Sequence, residues 1–218
     1  MRDGFRLILV SDRAQCGSPL GDDKRSRRDR LLEAIDIACK AGIKVVQLRE
    51  KDLDSRDLLS LAGDLRRLTE PHHCRLLIND RVDIALATKS DGVHCPESGI
   101  SPASARAILG DQALIGASCH SLERALSAVD AGADFVIFGP VYETPSKTGY
   151  GPPLGLEALH TVCRRVTTPV FAIGGIDPER SAECLDAGAS GVAVISAVLA
   201  SEDIAASVGR FEKAMGGL

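Results

Sequence analysis

The sequence predicts an α/β fold, a single (β/α)8 barrel around a parallel eight-stranded core, and three observations lead there. Eight short apolar runs alternate with segments of helical period along the 218 residues. Most runs are apolar at consecutive positions, as in Val192-Ala-Val-Ile195, which suits strands covered on both faces and therefore parallel. The dipeptide Ala-Gly recurs at 41–42, 131–132 and 187–188, each time shortly before such a run, where a left-handed glycine stops a helix.

Taken in order, the runs put strands at residues 6–11, 44–48, 75–79, 92–94, 113–118, 135–139, 170–174 and 191–196. After the first, the basic run Lys24 to Arg30 is broken by Ser26 and Asp29 and reads as a solvated loop and helix start. Leu58, Leu61, Leu65 and Leu68 then form one apolar stripe, and Leu122, Ala125, Leu126 and Val129 another. Ser55, Ser101, Ser121 and Asp177, the last followed by Pro178, sit where helix N-caps belong. Eight units average about 27 residues each, compact but sufficient for closure. An open doubly wound sheet is the alternative, but it calls for a glycine-rich phosphate fingerprint after the first strand, and Ser11-Asp-Arg-Ala-Gln-Cys-Gly17 has none. No Pro/Ser-rich linker divides the chain, so residues 1–218 read as one domain.

Composition narrows the function. The net charge is −4, and the aromatics are 5 Phe, 2 Tyr and no Trp. Such a chain lacks both the basic face and the stacking platforms of a nucleic-acid binder. Its 7 cysteines are odd in number, spread evenly and never spaced as CxxC, against a disulfide framework or zinc site. No stretch approaches the roughly 18 apolar residues of a membrane span, and the apolar run from Leu7 is too short for a signal-peptide core. A reduced cytoplasmic protein without a membrane partner is expected, and apolar helix faces suggest a homo-oligomer.

In a barrel the chemistry sits where strands end and loops begin. Those ends supply Gln47, Arg49 and Lys51; Asn79 and Asp80; His94 and Glu97; Ser118 and His120; the pair Gly174-Gly175; and Ser196. Cations and amides facing carboxylates suit a polyanion bound with a divalent metal. The stretch 139–153 is the longest without helix or strand pattern, which reads as a functional loop carrying Lys147. The plainer alternatives are surface charge for Arg49-Glu50-Lys51, an N-cap for Asp80, a tight turn for Gly174-Gly175 and a solvated side chain for Lys147. His72, His73 and His160 read as structural or surface residues.

Eight collinear segments carry a resemblance: Gln47-Leu-Arg-Glu-Lys51, Ile78-Asn-Asp-Arg-Val-Asp-Ile-Ala-Leu-Ala87, Asp91-Gly-Val-His94, Ile115-Gly-Ala-Ser118 with His120, Phe138-Gly-Pro-Val141, Thr144-Pro-Ser-Lys147, Ile173-Gly-Gly-Ile176 and Val194-Ile-Ser-Ala197. Together they resemble the thiamine phosphate synthase/TenI family over nearly the whole chain. The resemblance implies a barrel enzyme with Mg²⁺ as cofactor. It would join hydroxymethylpyrimidine diphosphate to hydroxyethylthiazole phosphate and release diphosphate. By the same resemblance Arg49, Lys51, Asn79, Ser118 and Lys147 hold the diphosphate, Gln47 meets the pyrimidine, and Asp80 holds the metal. Thr144, Gly175, Ile195 and Ser196 complete substrate binding, with the backbone near Gly175 and Ser196 on the thiazole phosphate. Lys147, Ser118 and His120 are the expected catalytic group.

One segment departs from the synthase pattern, His-x-Gly-Gln-x-Asp after the fourth strand. Here His94-Cys-Pro-Glu-Ser-Gly99 places glycine where the second metal ligand belongs. Glu97 is the candidate replacement. The Pro-Glu-Ser form is closer to TenI-like members, which aromatise thiazole carboxylate phosphate with a histidine matched by His120. A tautomerase and a non-catalytic precursor-binding protein therefore stand as alternatives to the synthase. With so few aromatics, ring recognition is expected to rest on aliphatic walls and amides such as Gln47, with Phe138, Tyr142, Tyr150 and Phe171 the aromatics near strand ends.

Overall fold

A computed structural model describes residues 4–16, 26–144 and 152–216. Its core is eight parallel strands hydrogen-bonded in sequence order: β1 (Leu7–Val10), β2 (Val45–Leu48), β3 (Arg75–Asn79), β4 (Gly92–Cys95), β5 (Leu114–Cys119), β6 (Phe135–Phe138), β7 (Val170–Ile173) and β8 (Gly191–Val194). β8 pairs back onto β1 through Leu7–Val192 and Leu9–Val194, closing the barrel. Around it run α1 (Arg27–Lys40), α2 (Ser55–Thr69), α3 (Val82–Thr88), α4 (Pro102–Leu109), α5 (Leu122–Asp130), α6 (Gly155–Arg165), α7 (Pro178–Asp186), the short α8 (Ser196–Leu199) and α9 (Ile204–Ala214).

Side-chain alternation explains why the strands are apolar throughout. In β1, Ile8 and Val10 point into the barrel, with Val45, Leu77, Ile137 and Ala193. Leu7 and Leu9 point outward into the larger cluster beneath the helices, with Val46, Ile78 and Val136. Apart from Gln47, Asn79, His94 and Ser118 toward the C-terminal ends of β2–β5, both faces of the strands are covered, so neither carries a polar period. At the strand N-terminal end Phe5 stacks on Phe171 at 5.1 Å between ring centroids, and Phe135 meets both edge-on at 6.0 and 5.5 Å. Three phenylalanines thus plug the barrel floor. Phe171 therefore lies away from the strand C-terminal face, and Phe138 is buried in the outer cluster, which corrects their expected place beside the substrate.

The helix stops behave as expected, with Gly42, Gly132 and Gly188 all at positive φ. Ser101, Ser121 and Asp177 accept hydrogen bonds from backbone N–H groups as N-caps. Two boundaries differ. Asp54, not Ser55, caps α2; both neighbours are good cap formers, so composition does not rank them. β8 ends at Val194, and Ser196 begins α8 instead of ending a strand.

All seven cysteines are free. Burial pushes the thiols of Cys16, Cys95 and Cys119 up to about 12 and those of Cys163 and Cys184 up to about 11. A thiol raised above its unfolded value, about 8.5, stabilises the fold fully below that value, and the contribution is lost as pH rises through the folded pKa. The melting temperature is therefore expected to hold steady near neutrality and to fall by several degrees between about pH 9 and 11. Calorimetry across that range checks it, and a melting temperature flat through the range would contradict it.

Candidate active site

The strand C-terminal ends surround a cavity of about 550 Å³. Gln47, Arg49 and Lys51 line it, Gln47 from within β2 and the two cations from the segment that follows it, where the chain turns at Glu50–Leu53. Gln47 Nε2 donates to Asn79 Oδ1 at 3.2 Å, so the two amides form one wall across β2 and β3. The intervening Glu50 is only 6% exposed, which rules out ordinary surface charge for that residue, while Arg49 is half-buried and Lys51 exposed.

The next wall comes from β4 and β5. His94 is buried, and its Nε2 lies 2.8 Å from Ser118 Oγ. Gly116 makes room for that ring: a Cβ there would lie 2.6 Å from His94 Nδ1 and 2.3 Å from Phe135 Cζ. Glu97 and His120 also line the cavity, and His120 Nδ1 donates to Glu97 Oε2 at 2.5 Å. The other oxygen, Oε1, pairs with Arg124 Nε at 3.1 Å. A carboxylate-held imidazole beside a cavity can move a proton, the carboxylate fixing which ring nitrogen carries it.

Asp80 sits at positive φ and its Oδ1 accepts from Ile100 N–H at 2.9 Å. It does not cap α3, whose N-cap is Arg81 without a side-chain bond. Its carboxylate fills the space above Gly99, where a Cβ would lie 2.1 Å from Asp80 Oδ1. Both oxygens of Glu97, the other expected metal ligand, are engaged by His120 and Arg124. Among the described residues no group of three or more His, Cys, Asp or Glu converges on a metal position. These residues would offer a Mg²⁺ one carboxylate, that of Asp80, which suits an ion usually held by one or two carboxylates together with substrate phosphate. They do not form an all-protein cage.

Asp80, Thr144, Gly175 and Ser196 are described but are not among the cavity-lining residues, whereas Ile195 is. Lys147 and Tyr150 lie outside the described residues. Gly174 and Gly175 both take positive φ, and a Cβ on Gly175 would lie 2.3 Å from Glu143 O. The glycine pair thus lets the β6 and β7 loops touch.

Two charged lining residues, Asp12 and Arg124, are not among those expected from the sequence. Asp12 follows β1 and was open to the strand-end rule. Arg124 lies within α5, where that rule gives no signal.

A closed parallel barrel with a cation-bearing, small-molecule-sized cavity at its strand C-termini defines a (β/α)8 enzyme class. The description of the thiamine monophosphate synthase family matches residues 19–198. A Geobacter sulfurreducens protein provisionally named a thiamine-phosphate synthase is 51% identical over 199 residues, covering 91% of this chain and 89% of that one. The thiamine-phosphate synthase of Chloroflexus aurantiacus is 42% identical over 203 residues, covering 93% and 89%. The solved thiamine phosphate pyrophosphorylase of Pyrococcus furiosus superposes with a TM-score of 0.82 at 32% identity, over 98% of this chain and 96% of that one. The chain belongs to the thiamine monophosphate synthase family.

Proposed function

We propose that this protein is a thiamine-phosphate synthase, coupling a hydroxymethylpyrimidine diphosphate to a hydroxyethylthiazole phosphate. The observation that carries this reading is the presence of Gln47, Arg49, Lys51, Asn79 and Ser118 on the walls of one cavity. In the reaction the C–O bond to the diphosphate breaks, its electron pair leaving with diphosphate. The thiazole nitrogen then gives its lone pair to the pyrimidine methylene carbon. Arg49 and Lys51 neutralise the departing charge, and Asn79 and Ser118 hydrogen-bond to phosphate oxygens. Gln47 orients the pyrimidine against the aliphatic wall of Ile137, Ile173 and Ile195. The backbone around Gly175 and Ser196, with Thr144, takes the thiazole phosphate, and Lys147 adds a further cation. Asp80 would hold Mg²⁺, which would supply charge neutralisation to the same leaving group, and Glu97 keeps its bonds to His120 and Arg124. No covalent nucleophile is required. No helix among the described residues is long and apolar enough to cross a membrane. A cytoplasmic homo-oligomer is part of the same proposal, read by light scattering and fractionation. Purified protein given both substrates and Mg²⁺ is expected to form thiamine phosphate, and folded protein inert in that assay would overturn the reading.

The Glu97–His120 pair favours a second reading, proton transfer in the aromatisation of a thiazole carboxylate phosphate. His120→Ala separates the two. A tautomerase is expected to lose about 10²–10⁴-fold in aromatisation rate, whereas coupling, which needs no proton shuttle, is expected to change by less than about tenfold. Rates measured with each substrate set decide.

A further inference from the structure

Between the two cavity-lining cations Arg49 and Lys51 lies a buried carboxylate that the reaction does not use. Glu50 Oε1 accepts from Ser11 Oγ at 2.7 Å and from Arg13 N–H at 3.1 Å, and Oε2 accepts from Arg13 Nη1 at 2.9 Å. Ser11, with no exposed surface, closes a ring: its hydroxyl donates to Glu50 and accepts from the backbone N–H of Arg49 at 2.8 Å. The outer face of Arg13 is clamped by Asp52, with Nη1 and Nη2 each 2.7 Å from one carboxylate oxygen. The β1 and β2 loops are therefore tied together by a chain of charged and hydrogen-bonded groups ending on the residue that carries the guanidinium.

We propose that Ser11 and Glu50 are positioning residues for the diphosphate subsite, fixing Arg49 and Lys51 toward the cavity; this rests on the synthase reading above. Two arguments support it. A hydroxyl that both donates and accepts inside a dry site has one orientation, so the Arg49 backbone is fixed before substrate arrives, and preorganised donors need no rearrangement as charge develops. Glu50 in turn holds both that hydroxyl and Arg13 of the β1 loop, so the backbone leading from Arg49 to Lys51 is tied to β1. Arg13 is not among the residues lining the cavity and is held by Asp52 and Glu50 instead.

The test compares the two substrates. Ser11→Ala removes the bridge with the least change in volume. It is expected to raise the KM for the pyrimidine diphosphate and the Kd for inorganic diphosphate about tenfold, with the KM for thiazole phosphate within about twofold. Glu50→Gln, which keeps the shape and removes the charge, is expected to move the same two constants in the same direction and serves if the alanine variant is unstable. A general loss of structure moves both substrates together. Equal increases for both substrates, or unchanged diphosphate affinity in a folded variant, would overturn the positioning role. Wild-type protein that neither forms thiamine phosphate nor binds inorganic diphosphate would instead overturn the synthase reading itself and this role with it.

Discussion

Arg49→Ala is expected to lower kcat/KM for thiamine phosphate formation by about 10²–10³-fold, or roughly 2.7–4 kcal/mol of transition-state stabilisation. Arg49 lines the cavity on the wall that also carries Lys51 and Asn79, and its backbone is held by Ser11 at 2.8 Å. In the proposed reaction the guanidinium meets the diphosphate as it acquires its full leaving charge. A bidentate, permanently charged donor matters most there. Arg49→Lys keeps the charge but loses the planar fork, so an intermediate loss is expected. Steady-state kinetics with circular dichroism as the folding control checks both. A folded alanine variant within about threefold of wild type would remove Arg49 from the leaving-group site.

The second large effect runs against intuition. Gly99→Asp supplies the carboxylate expected at the second metal position, yet it is expected to lower coupling by about tenfold or more and to bind Mg²⁺ no more tightly. The reason is steric. A Cβ on residue 99 would lie 2.1 Å from Asp80 Oδ1 and 2.6 Å from Pro96 Cγ, while Ile100 N–H holds that same Asp80 oxygen. The new side chain must displace the Asp80 carboxylate, the proposed metal ligand. Such overpacking costs about 1–3 kcal/mol, so a lower melting temperature should accompany the loss. Kinetics over a Mg²⁺ titration provides the measurement, and a variant that gained activity or needed less metal would show that Asp80 can make room.

The barrel was legible because two signals in the sequence have local causes. Strands dry on both faces must be apolar at consecutive positions, as Ile8, Leu9 and Val10 are, and helices that turn back into strands need a left-handed stop, as Gly42, Gly132 and Gly188 provide. Strand ends then pointed to Gln47, Arg49, Asn79 and Ser118 without any knowledge of distance. Contacts between loops were less accessible. Glu97 and His120 are 23 residues apart and meet because β4 and β5 are neighbours, but nothing in either segment says which partner the carboxylate takes. Arg124 reaches that carboxylate from inside a helix, where its spacing looks like ordinary solvent-facing charge. The fate of Glu50 was hidden for the opposite reason. It sits in a run of charges that reads as surface, and only the approach of the β1 loop buries it.

The placement of the phenylalanines has an optical consequence. The chain has no Trp, and no Phe or Tyr is among the described residues lining the cavity. Three of the rings are packed at the opposite end of the barrel. The walls of the site described here are therefore dark in the near ultraviolet, and a bound pyrimidine meets no phenyl or phenol ring on them to report its arrival. Occupancy of this protein is better followed through the ligand's own absorbance or by heat, and a tryptophan introduced beside the cavity would emit against a background free of any native indole.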